Sequence, residues 1–259
     1  MHISISGREI RNLNFFGGVL KMANIQTVEE AVKNIKDGMK IMAAGFLGVG
    51  APLKMIDALA ETNVKDLTLI QAVSAHPGET HDIGKLVKNK QVKKFIGAHI
   101  GTCPEIQEQY NEGTLEVEFI PMGTVVECIR AGGAGLGAVV TPTGLGTEVE
   151  EGRDKLVVDG KEYLVFPPLK ADVAIIKGYK ADKLGNIIYR GTTKGTNTIM
   201  ALAADLVIAE VDEIVEVGEI PADNVETPGI LVDIIVKGDS FEDRKKYFED
   251  LWVRTKKMK

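Results

Sequence analysis

Two glycine-rich stretches are the parts of this chain best suited to chemistry, because both offer backbone N–H groups that no side chain shields. The first runs Ala44-Gly45-Phe46-Leu47-Gly48-Val49-Gly50-Ala51-Pro52. Glycine lets main chain approach a ligand closely, and a helix N-terminus favours negative charge. Pro52 suits the first turn of a following helix. No Gly-Lys-Ser/Thr follows, so the stretch is not a P-loop, and it lacks the G-x-G-x-x-G of dinucleotide sites. The second stretch runs Gly132-Gly133-Ala134-Gly135-Leu136-Gly137 and is followed by Thr141-Pro142-Thr143-Gly144-Leu145-Gly146-Thr147. Clustered unhindered donors are what an oxyanion needs, one donor being worth ~2.7–4 kcal/mol in a transition state. A tight structural turn would use the same residues in either place.

The reactive side chains are less promising. Cys103 and Cys128 are far apart and in no metal-like spacing, which reads as two reduced thiols. Cys103 lies at an expected helix start that would favour a thiolate, but no base adjoins it in sequence. His76 and His81 lack a third ligand and make a poor metal site, so no metal is expected. They read as exposed loop residues able to touch a ligand or a partner. Glu79 reads as exposed in the same polar loop, Glu105 as complementing a helix dipole, and Glu148, Glu150 and Glu151 as a solvated cluster.

Composition narrows the classes. The 259 residues are 44% hydrophobic and 26% charged, ordinary values for a globular chain long enough to bury a core. A net charge of −6 and 5% aromatics argue against nucleic acid or an anionic membrane as partner. No run approaches the ~20 apolar residues of a membrane span, and a cytoplasmic location is expected.

The elements that must position the loops form an alternating series. Strands are expected at Lys40–Ala44, Leu67–Val73, Lys94–Ala98, Glu116–Ile120, Val173–Lys177 and Leu206–Val211. Helices are expected from Pro52 to Glu61, Cys103 to Asn111, Thr124 to Ala131 and Thr198 to Ala204. This implies an α/β fold with a mainly parallel sheet and flanking helices. Asp159-Gly160, between two apolar runs, predicts an inserted β-hairpin near 155–165 with a type I′ turn. Thr27 should cap a helix that ends at Gly38. Residues 1–21 read as an extension before a biological start at Met22, 22–237 as the α/β domain, and 238–259 as an amphipathic helix capped by Ser240. That helix carries Phe241, Tyr247, Phe248, Leu251 and Trp252 on one stripe, for its own domain or for a partner subunit.

The first loop resembles the G-G-F-x-x-x-G-x-P signature of family I coenzyme A transferases, with Ala44 in place of the first glycine. Arg130 to Gly137 resembles the family's R-x-G-G-A-G-L/I, and Thr141 to Thr147 its T-P-x-G-x-G-T. Leu184-Gly185-Asn186, Ala203-Ala204-Asp205 and Thr227-Pro228-Gly229 follow in the same order. The resemblance is to the A subunit of acetate/acetoacetate-type enzymes and extends from about Ala23 to Val236.

The resemblance implies transfer of coenzyme A from a short-chain acyl-CoA to a free carboxylate, with the CoA thioester as substrate and no permanent cofactor. It implies a glutamate nucleophile in a S-E-N-G stretch of a partner B subunit, and no S-E-N-G occurs here. This chain would then contribute CoA-binding and oxyanion contacts from Ala44, Gly45, Phe46, Leu47, Gly48, Val49, Gly50, Pro52, Gly132, Gly133, Ala134 and Gly135. The two glycine stretches would converge on the thioester. His99, read as buried and hydrogen-bonded, and Asn197, in the departing stretch Lys194-Gly195-Thr196-Asn197-Thr198, would lie near the acyl group. A sugar-phosphate or nucleotide sensor domain on a related fold is the competing reading, and a scaffold with idle loops the third.

Overall fold

The computed structural model describes residues 22–256 and, of the segment before them, the backbone pairing of Ser4–Ile5 with Arg8–Glu9. The expectation that the native chain starts at Met22 lies outside the described residues.

Eight strands form one parallel sheet. They are β1 Asn24–Gln26, β2 Lys40–Ala43, β3 Leu67–Ile70, β4 Val92–Gly97, β5 Glu116–Phe119, β9 Ala171–Asp182, β11 Ala204–Val215 and β12 Ile234–Lys237, in the spatial order β1-β12-β11-β9-β2-β3-β4-β5. The short β10, Ile187–Ile188, adds antiparallel to the end of β9. A three-stranded antiparallel sheet stands apart, with β8 (Lys161–Phe166) between β6 (Val139–Thr141) and β7 (Lys155–Val158). The β7–β8 connection is the expected one, since Asp159 and Gly160 both take positive φ, 50° and 72°.

Strand residues alternate between two apolar layers, as burial on both faces requires. Met42, Ile70, Ala174 and Val207 face helices α5 (Met122–Ala134) and α6 (Asn197–Leu202) and the small sheet. Ile41, Leu69, Val173 and Ile208 face α1 (Val28–Ala31), α2 (Leu53–Ala60), α3 (Gly84–Lys88) and α4 (Pro104–Asn111). Thr27 and Glu30 form a capping box at α1, but the helix gives way to a 3-10 turn over Val32–Asn34 rather than running to Gly38. The amphipathic C-terminal segment is α7, Phe241–Arg254, capped by Ser240.

The strand order reverses between β9 and β2. Chain leaving β2 goes through α2 on one face, and chain leaving β9 goes through α6 on the other. Their connections diverge above the carboxyl ends of the two strands, where open α/β sheets place their ligands.

The second glycine stretch is not the open loop its sequence suggests. Gly132, Gly133 and Ala134 belong to α5, so their amides fall within the helix's own hydrogen-bond ladder, and Gly135 is its left-handed C-cap (φ 71°). The glycines serve packing. A Cβ on Gly132 would stand 2.0 Å from the Leu169 carbonyl oxygen, and one on Gly133 2.6 Å from the Leu202 Cβ. Leu169 and Leu202 immediately precede β9 and β11, so this stretch lies at the amino edge of the sheet. The first loop leaves β2 at the opposite edge, and the expected convergence of the two stretches does not occur. Gly132→Ala should therefore cost about 1–3 kcal/mol in urea unfolding, as overpacking does. Gly137→Ala, with nothing within 4 Å of its Cβ, should leave stability within ~0.5 kcal/mol of the parent.

Candidate functional site

The first loop is built around a two-residue turn. Phe46 and Val49 exchange backbone hydrogen bonds, 2.9 and 3.0 Å, across Leu47 and Gly48. Both central residues have positive φ, 51° and 84°, as a type I′ turn demands. A left-handed leucine stores strain of order 1–3 kcal/mol, which the surroundings must offset.

The amides divide cleanly. Those of Phe46 and Val49 are used by the turn, Ala44 donates to the Ile175 carbonyl and Ala51 to that of Gly48, and Pro52 has no N–H. Among the described residues, the N–H groups of Gly45, Leu47, Gly48 and Gly50 make no hydrogen bond. Gly45 and Leu47 are half-buried, and Gly48 and Gly50 are buried. Phe46 is the exposed tip, 55% accessible.

Asn197 fixes the loop. Its side chain is buried, accepts the Lys177 N–H at 2.7 Å, and donates to the carbonyls of Gly50 (3.2 Å) and Thr193 (2.8 Å). One amide thus ties β9, the glycine loop and the turn before α6 together. A Cβ on Gly50 would meet the Thr193 carbonyl oxygen at 2.7 Å, so the glycine is required for this closeness. Asn197, expected near the acyl group, lies against the first loop.

His76, His81 and His99 reverse their expected environments. His76 and His81 are buried, both 1% accessible, whereas His99 is exposed after β4. The cover over His76 and His81 is α7. Trp252 packs edge-on against His76 with ring centroids 4.6 Å apart, and Tyr247 Oη lies 2.8 Å from His81 Nδ1. Arg254 donates twice to the Glu79 carboxylate, at 2.9 and 2.6 Å. Glu79 is thus an ion-pair partner rather than a free loop carboxylate. A Cβ on Gly48 would lie 2.5 Å from His81 Nε2, which brings the buried imidazole directly against the turn. Burial holds His81 down at about pH 4.

A buried charged group under α7 escaped sequence reasoning. Lys177 on β9 pairs with Asp212 on β11, and Arg244 of α7 reaches the same Asp212 at 3.3 Å. Glu210 accepts the Met55 N–H at 3.1 Å, so it satisfies an orphan donor of α2, which has no side-chain cap of its own. Burial pushes Glu210 up to about 7. A lysine ending one apolar strand and Glu-x-Asp in the next were the available signals. The remaining candidates are inert. Burial raises Cys103 to about 12 and Cys128 to about 11, so neither is a thiolate, and Cys103 Sγ sits 3.3 Å from Glu105 Oε2. No cluster of metal-ligating side chains occurs among the described residues.

A switch-point loop with four spare amides suits an acyl or phosphoryl oxygen equally. The family model for coenzyme A transferase matches residues 25–238. The chain belongs to the coenzyme A transferase family. It is 44% identical over 212 residues to the acetate CoA-transferase subunit alpha of Escherichia coli K12, a match covering 82% of this chain and 96% of that one. It is 48% identical over 202 residues to the acetoacetyl-CoA:acetate/butyrate CoA transferase alpha subunit of Clostridium acetobutylicum, covering 78% and 92%. In fold it resembles the acyl-CoA transferase of Escherichia coli O157:H7 solved as a thioester complex with CoA. That match has a TM-score of 0.77 at 22% identity, over 84% of this chain and 50% of that one. Of the two glycine stretches, the first carries the amides without partners, while Gly132 to Ala134 lie within α5.

His81 gives the site a pH signature. The folded state keeps it neutral down to about pH 4, while the unfolded chain binds a proton near 6.5. Stability from this group is therefore lost as pH falls from 6.5 toward 4. Glu210 and Asp82, both pushed up to about 7 by burial, act in the opposite sense, so a variant is needed to isolate it. Between pH 7 and pH 5 the parent should lose about 2 kcal/mol more unfolding free energy than His81→Gln. Equal losses would show that His81 is not held neutral.

Proposed function

We propose that this chain is the non-nucleophilic A subunit of a short-chain acyl-CoA:carboxylate CoA-transferase, with substrates of the acetate, butyrate and acetoacetate class. The supporting observation is the set of four unpaired amides, at Gly45, Leu47, Gly48 and Gly50, on a strained turn at the strand-order switch. Two relatives whose names state alpha subunits and acetate or butyrate transfer support the substrate class. The sequence holds no S-E-N-G, which supports a glutamate supplied by a B subunit.

The chemistry follows from the donors. The partner's carboxylate attacks the thioester carbonyl, the C–S bond breaks, and an acyl-glutamyl anhydride and CoA thiolate result. The thiolate then attacks the glutamyl carbonyl, releasing the donor acid and leaving a glutamyl-CoA thioester. The acceptor acid reverses both steps. Each addition places negative charge on a carbonyl oxygen, and preorganised amides stabilise that charge without reorganising. Asn197 holds the loop, so the amides are aimed before substrate arrives.

The purified chain alone should transfer no CoA between acetoacetyl-CoA and acetate, and mixing with a cognate B subunit should give steady turnover. Asn197→Asp sets a carboxylate against the Gly50 and Thr193 carbonyls, and should lower kcat of the assembled enzyme by ~10²-fold. Robust turnover by the chain alone would overturn the subunit assignment.

A further inference from the structure

Helix α7 begins at Phe241, beyond Gly238 where the family match ends, yet it packs against the turn that carries the spare amides. A Cβ on Gly48 would touch the Phe248 ring at 3.0 Å. Between helix and loop lies an apolar groove of about 240 Å³ whose walls include Val49, Gly50, Phe241, Phe248, Trp252 and Arg244. Arg244 is paired with Asp212, and Lys245, which also lines the groove, lies 3.9 Å from Glu249 on the same wall, so both cations have carboxylate partners. An apolar floor that touches two residues of the donor loop fits the saturated tail of a group whose carbonyl the loop holds.

The size sets an upper bound. At a share of ~30 Å³ per water-sized group, the groove has room for a chain of about eight carbons and not for a long-chain fatty acyl group. The wall is also rigid. Arg244 anchors α7 to β11, Arg254 to Glu79, and the Arg190 guanidinium stacks on Phe241 at 3.6 Å.

We propose that this groove receives the acyl chain of the thioester and that Phe248 and Trp252 set its length; the inference rests on the transferase reading above. Removing either ring lengthens the groove. In the assembled enzyme, Phe248→Ala and Trp252→Ala should raise the ratio of kcat/KM for decanoyl-CoA, too long for the parent groove, over butyryl-CoA by about 10-fold or more, since each methylene placed or excluded counts for that much. Val253→Ser, at a position 59% exposed on the same helix, should keep the parent ratio and so reports on helix substitution in general. Trp252 is the sole tryptophan of the sequence, so its emission gives a readout that needs no turnover. Butyrate and hexanoate should shift the part of the assembled enzyme's emission that Trp252→Phe removes, and acetate much less.

A ratio that moves in the two ring variants and not in Val253→Ser supports the groove. Equal losses for every acyl-CoA, with emission indifferent to chain length, would reduce α7 to a structural brace and overturn the inference while leaving the transferase reading intact. An assembled parent that turns over no acyl-CoA would remove the transferase reading and the groove with it.

Discussion

A left-handed turn at Leu47–Gly48, held where the sheet reverses its strand order, is the constraint on which the rest of this structure depends. Such a turn leaves amides outside any ladder, and leucine resists the conformation. It persists because three neighbours surround it. Asn197 grips the Gly50 carbonyl from below, His81 closes against Gly48 from the side, and α7 lies over both. Each contact comes from a different connection of the fold, so the donor set is a property of the tertiary structure and not of the loop sequence.

The buried charges answer to the same geometry. Glu210 sits deep in the sheet because α2 starts abruptly after the loop and leaves the Met55 N–H unmatched. Asp212 and Lys177 balance one another beside it, and Arg244 completes the group when α7 docks. Buried ion pairs contribute little net stability, but leaving one partner unpaired costs about 3–5 kcal/mol. The arrangement therefore specifies where α7 lies more than it strengthens the fold. Fixing α7 fixes the cover over His76 and His81 and the outer wall of the groove.

The sequence conveyed the parallel sheet, the Asp159-Gly160 hairpin and the first loop because each is written in local pattern: strand–turn–helix alternation, a positive-φ pair and glycines after an apolar strand. It misled at Gly132-Gly133 because glycine spells close packing and open loop in the same letter; only Leu169 and Leu202, distant in sequence, distinguish them. His76 and His81 looked solvated because their flanks are polar, while the aromatic side chains that bury them come from residues 247–252. His99 looked buried from its apolar neighbours and is exposed because it follows the carboxyl end of β4. Asn197 stood out only as part of a stretch that departs from the family pattern, and its role as a three-way tie needed the carbonyls of Gly50 and Thr193 in place.

The most direct test is the position of the thioester oxygen in a structure of this chain assembled with its B subunit and a non-transferable acyl-CoA analogue. That oxygen should lie within ~2.7–3.2 Å of at least two of the amides of Gly45, Leu47, Gly48 and Gly50. An acyl group bound instead at the amino edge of the sheet, beside Gly132 to Gly137, would contradict it.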